Sequence, residues 1–268
     1  MKKIAVSNIG WDIHDDPEIF KLLRDNGVNG IEIAPTKIWP DWNGATEKSA
    51  KAYRSRLREA GFEVPALQAI VYGKPLLQLF DLTVQVDFLE HIKLVSSISA
   101  ALGAKVLVFG APKNRKRGQL SMDEAMKRAI DIMHLAGEIC MDRGVCIGWE
   151  HNPVAYECDF ITNVADGRQL IDMIDSEGVK LHLDSGGIHM CGGDIGDVIR
   201  SAGEFVHYHA SEPMLNWLDY PCVDHKKAGN ALQDIEYSEW ISIEMRSCEG
   251  KLNRLVSSIK HIRETYGR

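Results

Sequence analysis

Four residues stand out for the chemistry they could do: Glu150 in IGWEHNP, Asp184 in VKLHLDSGG, His209 in FVHYHASEP and Glu244 in YSEWISIEMR. Each closes a short apolar run, where an ionisable group is costly unless it has a partner. A single acid in such a place is ordinarily a helix N-cap or half of an ion pair. Four such groups ending successive runs point instead to a divalent cation held between them. Three carboxylates and one imidazole form a mainly hard donor set. It suits Mn2+, Mg2+ or Co2+, with Zn2+ or Fe2+ as alternatives, better than it suits a structural zinc, which takes Cys and His. Such an ion can bind adjacent oxygens of an α-hydroxy carbonyl compound and stabilise an enediolate. Two carboxylates on opposing strands can take a proton from one face and return it to the other, and Glu150 and Glu244 are placed for that role.

The elements that must position these residues follow from periodicity. Strands are expected at Lys3–Ser7, Gly30–Ala34, Val64–Val71, Lys105–Phe109, Val145–Trp149, Val179–Leu183, Phe205–His209 and Trp240–Glu244. Most lack polar alternation, as strands covered on both faces do. Between them run one-sided helical patterns, such as Val84, Phe88, Ile92 and Val95, or Met122, Met126, Ala129, Met133, Ala136 and Cys140, or Leu252, Leu255, Val256, Ile259 and Ile262. Glycines at Ala60-Gly61, Leu102-Gly103, Arg143-Gly144 and Glu177-Gly178 read as helix C-caps. Eight strand–helix units imply a parallel α/β sheet closed into a (β/α)8 TIM barrel, one domain over residues 1–268. A doubly wound open sheet is the alternative. In a barrel the C-terminal strand ends line the site, which also brings Glu32 of GIEIAP to the mouth.

Composition agrees and excludes other classes. The 268 residues are 45% apolar and 26% charged, ordinary for a globular chain able to bury a large core. Lys plus Arg is 31 against 38 for Asp plus Glu, a net charge of −7 that argues against nucleic acid as a partner. The six cysteines form no CxxC pair and read as reduced, mostly buried thiols of a cytoplasmic protein. The start, MKKIAVSNIG, lacks the apolar region of ~7–15 residues that a leader needs. No run approaches the ~18 apolar residues of a membrane helix, so no membrane association is expected. GxSxG, P-loop and strand-following GxGxxG motifs are all missing from the sequence.

The segments IGWEHNP, VKLHLDSGG, FVHYHASEP and YSEWISIEMR resemble the sugar phosphate isomerase/epimerase family, whose barrel is xylose-isomerase-like. That family includes ketose 3-epimerases, hydroxypyruvate isomerase and inosose dehydratase, and is related to type-IV apurinic endonucleases. The resemblance spans essentially the whole chain from GIEIAP onward. It implies that Glu150, Asp184, His209 and Glu244 bind one divalent metal, and that Glu150 and Glu244 are the acid/base pair. The implied partner is a small carbohydrate or its phosphate. Two readings stand beside isomerisation: a metal-dependent dehydratase of the inosose dehydratase type, and a sugar-binding barrel without catalysis. Two departures bear on the substrate. The family's His three residues after the strand-6 Asp is Gly187 here, leaving His189 or His225 as replacements or as ordinary loop histidines. The Arg that often follows strand 7 is absent, and Glu212 and Asp224-His225 stand in that segment. The endonuclease's three-zinc site needs histidines after strands 3 and 4, where QAIVYG and VLVFGAP have none.

Further candidates are less specific. Asn152 and Arg246 flank the proposed ligands and could touch substrate. Trp11, Trp39 and Trp42 could form an apolar wall over a sugar, or serve as a lid or as contacts in a homo-oligomer. Lys113, Arg115, Lys116 and Arg117 could hold a phosphate or carboxylate, against the plainer reading of a solvated basic loop. Gly192-Gly193-Asp194 reads as an N-cap by Asp194 rather than a phosphate loop. His151 and His207 are expected to point away from the metal.

Overall fold

A computed structural model describes residues 3–267; Met1 and Lys2, which open MKKIAVSNIG, and Arg268, which closes the expected domain, lie outside the described residues. Its eight parallel strands are β1 (Ile4–Ser7), β2 (Gly30–Glu32), β3 (Ala66–Leu67), β4 (Val106–Phe109), β5 (Cys146–Glu150), β6 (Val179–Asp184), β7 (Phe205–Ser211) and β8 (Ile241–Glu244). They pair in the order β2-β1-β8-β7-β6-β5-β4-β3. Two isolated parallel bridges, Gly30 to Glu63 and Ile33 to Leu67, complete the ring between β2 and β3. Across that seam Ile31 N donates to Glu63 O at 2.9 Å and Ile33 N to Ala66 O at 3.1 Å. The fold is the expected (β/α)8 barrel.

The helices are α1 (Asp16–Asp25), α2 (Pro35–Ile38), α3 (Glu47–Glu59), α4 (Gln85–Leu102), α5 (Met122–Met141), α6 (Val164–Ile174), α7 (Ser185–Cys191), α8 (Ile195–Ser201), α9 (His225–Asp234) and α10 (Lys251–Tyr266). The periodic residues do the packing: α4 buries Phe88, Ile92 and Val95, α5 buries Ala129, Met133, Ala136 and Cys140, and α10 buries Leu255, Ile259 and Ile262. Each large aliphatic or aromatic chain so buried contributes about 1.5–3 kcal/mol, enough to dock a helix on the sheet. Ser121 starts α5 with a capping box, exchanging hydrogen bonds with Glu124. Asp194 caps α8 by accepting from Asp197 N at 3.1 Å, so the Gly192-Gly193 loop is the helix start expected of it. Among the described residues no helix is long and apolar enough to cross a membrane.

Three expectations change. The apolar run Val64–Val71 yields a strand of only two residues. Ala69 takes φ 53°, which turns the chain out of the sheet, and Ile70 and Val71 bury their side chains from a loop. Gly178 is not a helix cap; Asp175 ends α6 in the left-handed region at φ 49°. Gly178 is needed because its backbone meets α5, where an added Cβ would lie 2.1 Å from Gly137 O. Of the six cysteines, none disulfide-bonded, only Cys140 and Cys158 are buried. Cys191, Cys222 and Cys248 lie beyond the strands, in α7 and in loops, where no sheet covers them.

Candidate metal centre at the barrel mouth

Glu150, Asp184 and Glu244 end β5, β6 and β8, and His209 lies two residues before the end of β7. Because side chains alternate along a strand, those facing the interior stack in layers, and residues two apart share a face. The register places Asp184 opposite His209. All four side chains reach one cavity of about 690 Å3, within the range of small-molecule sites, about 300–1,000 Å3.

His209 organises the group. Its Nε2 lies 3.0 Å from Glu32 Oε1 in a buried hydrogen bond, and Ser242 Oγ donates to the other oxygen of that carboxylate. With Nε2 committed to Glu32, Nδ1 is the nitrogen left to face the mouth, and it can offer a lone pair only when its proton is gone. Nδ1 is 3.2 Å from Glu244 Oε2 and 4.0 Å from Asp184 Oδ2, yet makes no hydrogen bond. A ring nitrogen turned toward two carboxylates calls for a positive charge there, supplied by a proton on the imidazole or by a cation. Asp184, His209 and Glu244 bring ligand atoms within 4.8 Å of one another, as do Glu150, His182 and His209. The donor chemistry therefore fits a divalent cation, which Glu150, Asp184, His209 and Glu244 could hold.

The electrostatics say the same. Burial, and then the charge of Asp184 beside it, push Glu150 up to about 8. Burial and the charge of Glu244 push Asp184 up to about 6. Burial works against a charged His209, but Glu32 and Glu244 hold it well above the usual imidazole range. Burial likewise opposes the charge of Glu32, which His209 and His207 nevertheless hold well below the carboxylate range. The carboxylates at the mouth thus resist being ionised together unless further positive charge sits among them.

Several neighbours fix Glu150. Its carboxylate lies against the backbone of Gly110, where an added Cβ would come within 2.0 Å of Oε2. Asn152 Nδ2 donates to Oε2 at 3.4 Å and itself lines the cavity. Arg115, 0% exposed, donates to the Glu150 carbonyl at 2.6 Å and stacks on Trp149 with its guanidinium 4.8 Å from the ring centre. The basic run is therefore solvated only in part: Lys113 and Lys116 are exposed, Arg117 is half-buried and Arg115 is buried. Lys116 pairs with Glu157, Arg117 ties down Asp159 and Leu120, and only Lys113 lines the cavity.

The remaining candidates divide. Arg246 lines the cavity and donates to Asn216 at 3.0 Å. His189 is exposed on α7 and does not line it. His225 is buried at the start of α9, 2.8 Å from Glu212 and 2.6 Å from the Tyr266 hydroxyl, and serves to anchor the loop after β7. Neither fills the space at Gly187, whose amide caps Asp184 Oδ1 at 2.5 Å. Trp11, Trp39 and Trp42 are buried away from the cavity; Trp11 donates to Asp16 at 2.8 Å and Trp39 packs edge-on against Tyr53. The apolar wall comes instead from Ile70, Val71, Tyr72, Met214 and Leu215. His151 does point outward, into a cleft against α6 and α7. His207 does not: two residues from His209, it shares the interior face, with Nε2 3.4 Å from Glu32 Oε1. Glu32 and Gly110 have no role in the sequence reading, and Arg115, expected to hold an anion of the substrate, supports Glu150 instead. Only Glu32 left a signal, as an acid ending a strand.

Fold and site together define a TIM barrel with a buried acid–imidazole centre at its C-terminal mouth. The family profile described as xylose isomerase-like TIM barrel matches residues 20–265, and the chain belongs to that family. Solved structures with the same fold include a D-psicose 3-epimerase in the presence of D-fructose, with TM-score 0.82, 17% identity, and coverage of 99% of this chain and 100% of the other. The apo 3-keto-D-glucoside 4-epimerase from E. coli superposes with TM-score 0.83 at 17% identity, over 98% of this chain and 100% of the other. An IOLI protein with a zinc atom gives TM-score 0.74 at 17% identity, over 99% and 100%. No curated protein sequence matches the chain.

Proposed function

We propose that the chain is a divalent-metal-dependent isomerase or epimerase that moves a proton on a small sugar or sugar phosphate. The observation that carries this reading is the orientation of His209. One nitrogen is committed to Glu32, and the other is turned without a hydrogen bond toward Glu244 and Asp184 at the mouth of a sugar-sized cavity. Glu150, Asp184, His209 and Glu244 would hold the ion. When bound, it offsets the negative charge that develops on adjacent substrate oxygens as a proton leaves carbon. Glu150 and Glu244 stand three strands apart in the ring and enter the cavity from different sides, so one can remove the proton and the other return it. Gln68 and Asn152 offer amide groups to sugar hydroxyls, and Lys113 and Arg246 give the rim two cations. The structures of sugar epimerases with this fold support the substrate class.

The test is a panel of ketoses and ketose phosphates incubated in D2O with Mn2+ or Co2+ and followed by NMR. Deuterium entry next to the carbonyl, with an epimer or isomer as product, is expected. Chelator should abolish it, and Glu150→Gln and Glu244→Gln should each cost about 10²–10⁴-fold. Full activity in either variant refutes the proton-transfer roles, and an unsaturated product moves the reaction to the dehydratase class.

A further inference from the structure

His182 lies two residues before Asp184 on β6, on the same interior face, and is paired with Glu150 in the β5–β6 register. It is 0% exposed, and neither ring nitrogen has a hydrogen-bond partner. Each buried polar group left unsatisfied costs about 1–3 kcal/mol, and few in folded proteins are left so. Gly148 keeps the neighbouring strand clear: a Cβ there would lie 3.0 Å from Val106 Cγ1 and 3.2 Å from the Cβ of His182. Nε2 faces Glu150 Oε1 at 3.7 Å without a hydrogen bond. The ring meets that of His209 edge-on at 4.3 Å. Glu150, His182 and His209 bring ligand atoms within 4.8 Å of one another.

We infer that His182 is a second nitrogen donor to the cation of the proposed centre, and that it tilts the centre toward Zn2+ and Co2+ over Mg2+ and Mn2+. The inference rests on the metal reading above. Neighbouring donors on one ion with bonds near 2.1 Å stand about 3.0–3.4 Å apart. The His209–Glu244 contact of 3.2 Å falls in that range and the His182–Glu150 contact of 3.7 Å lies just outside it, and His209 is the residue common to the Glu150–His182 and the Asp184–Glu244 groups. Imidazole favours Zn2+ and its neighbours in the series, whereas carboxylate and water suit Mg2+ and Mn2+. A second ring therefore changes selectivity as well as affinity.

Competition against a chromophoric chelator, with Zn2+, Co2+, Mn2+ and Mg2+ in turn, tests this on the full chain. His182→Leu removes both nitrogens. His182→Gln keeps a neutral group able to hydrogen-bond Glu150, and thermal melts confirm folding of each. The expected result is Zn2+ and Co2+ binding weakened at least about tenfold in both variants, with Mn2+ and Mg2+ within about threefold of wild type. The visible absorption of the Co2+ form should shift as well. Equal weakening of all four ions, or no weakening, overturns the inference while leaving the centre intact. Zn2+ binding restored in His182→Gln overturns it too, assigning His182 a hydrogen bond to Glu150. A wild-type chain that takes up none of the ions overturns both the inference and the metal reading.

Discussion

Glu32→Gln isolates the contact that orients His209. Glu32 is 0% exposed, accepts from His209 Nε2 at 3.0 Å and from Ser242 Oγ, and lies 3.4 Å from His207 Nε2. Glutamine keeps the shape, and its carbonyl can still accept from Nε2, so the perturbation is mainly the loss of one buried negative charge. In the metal-free protein that charge is the foremost influence holding His209 in its protonated form. Removing one partner of a buried ion pair costs about 3–5 kcal/mol, and the retained hydrogen bond places the amide near the lower figure. At about 2–4 °C per kcal/mol for a chain of this size, melting should fall by roughly 6–12 °C. With metal, an imidazole that loses its orienting carboxylate binds about 10–100-fold more weakly, or roughly 1.4–2.8 kcal/mol. Calorimetric melts of the apo protein and titrations with Mn2+ and Zn2+ read the two effects separately. Both ions should weaken alike, in contrast to substitution of His182. A variant that melts within about 1 °C of wild type and binds both ions unchanged would refute the idea that Glu32 orients His209.

Three further outcomes follow from the same geometry. Gly110→Ala places a methyl where Glu150 Oε2 now sits, so proton transfer should fall by about 10²-fold with little change in melting, measured by deuterium exchange and calorimetry. Glu212 is held at about 2: burial raises it, but hydrogen bonds from His225 and Cys222 prevail. Its folded value lies below its unfolded one, so the stability it adds is present above pH ~4.5 and is lost as pH falls toward ~2, about 3 kcal/mol in all. Glu212→Gln should flatten that acid limb in pH-dependent denaturant titrations; an unchanged slope removes Glu212 from the account. Arg115→Met leaves the Glu150 carbonyl without its buried donor, and melting should drop by about 4–12 °C, equivalent to roughly 2–3 kcal/mol; a drop below about 2 °C would show the contact to be dispensable.

Eight short apolar runs alternating with one-sided helical patterns already point to a parallel barrel, because such runs bury both faces of a sheet in only a few ways, and the β2–β3 seam settles closure over an open sheet. The sequence by itself also exposed Glu150, Asp184, His209 and Glu244, since a charge ending an apolar run is conspicuous in one dimension. The layer beneath them was not legible. Glu32 and His209 are separated by 177 positions and meet only because the ring closes. His207 flanks His209 in the sequence but stands two residues before it on the strand, and so shares its face toward Glu32. Arg115 looks like any member of a basic run, and only packing against Trp149 shows that it is buried. Loops after strands face the mouth, which makes Trp11, Trp39 and Trp42 candidates for a sugar wall, a lid or an oligomer contact. Tertiary structure turned them inward, since a large indole gains more from burial in the α-helical shell than from partial cover over a wet cavity. Strand ends announce which groups can act, but which nitrogen donates, which carboxylate orients and which glycine makes room are decided by contacts across the ring.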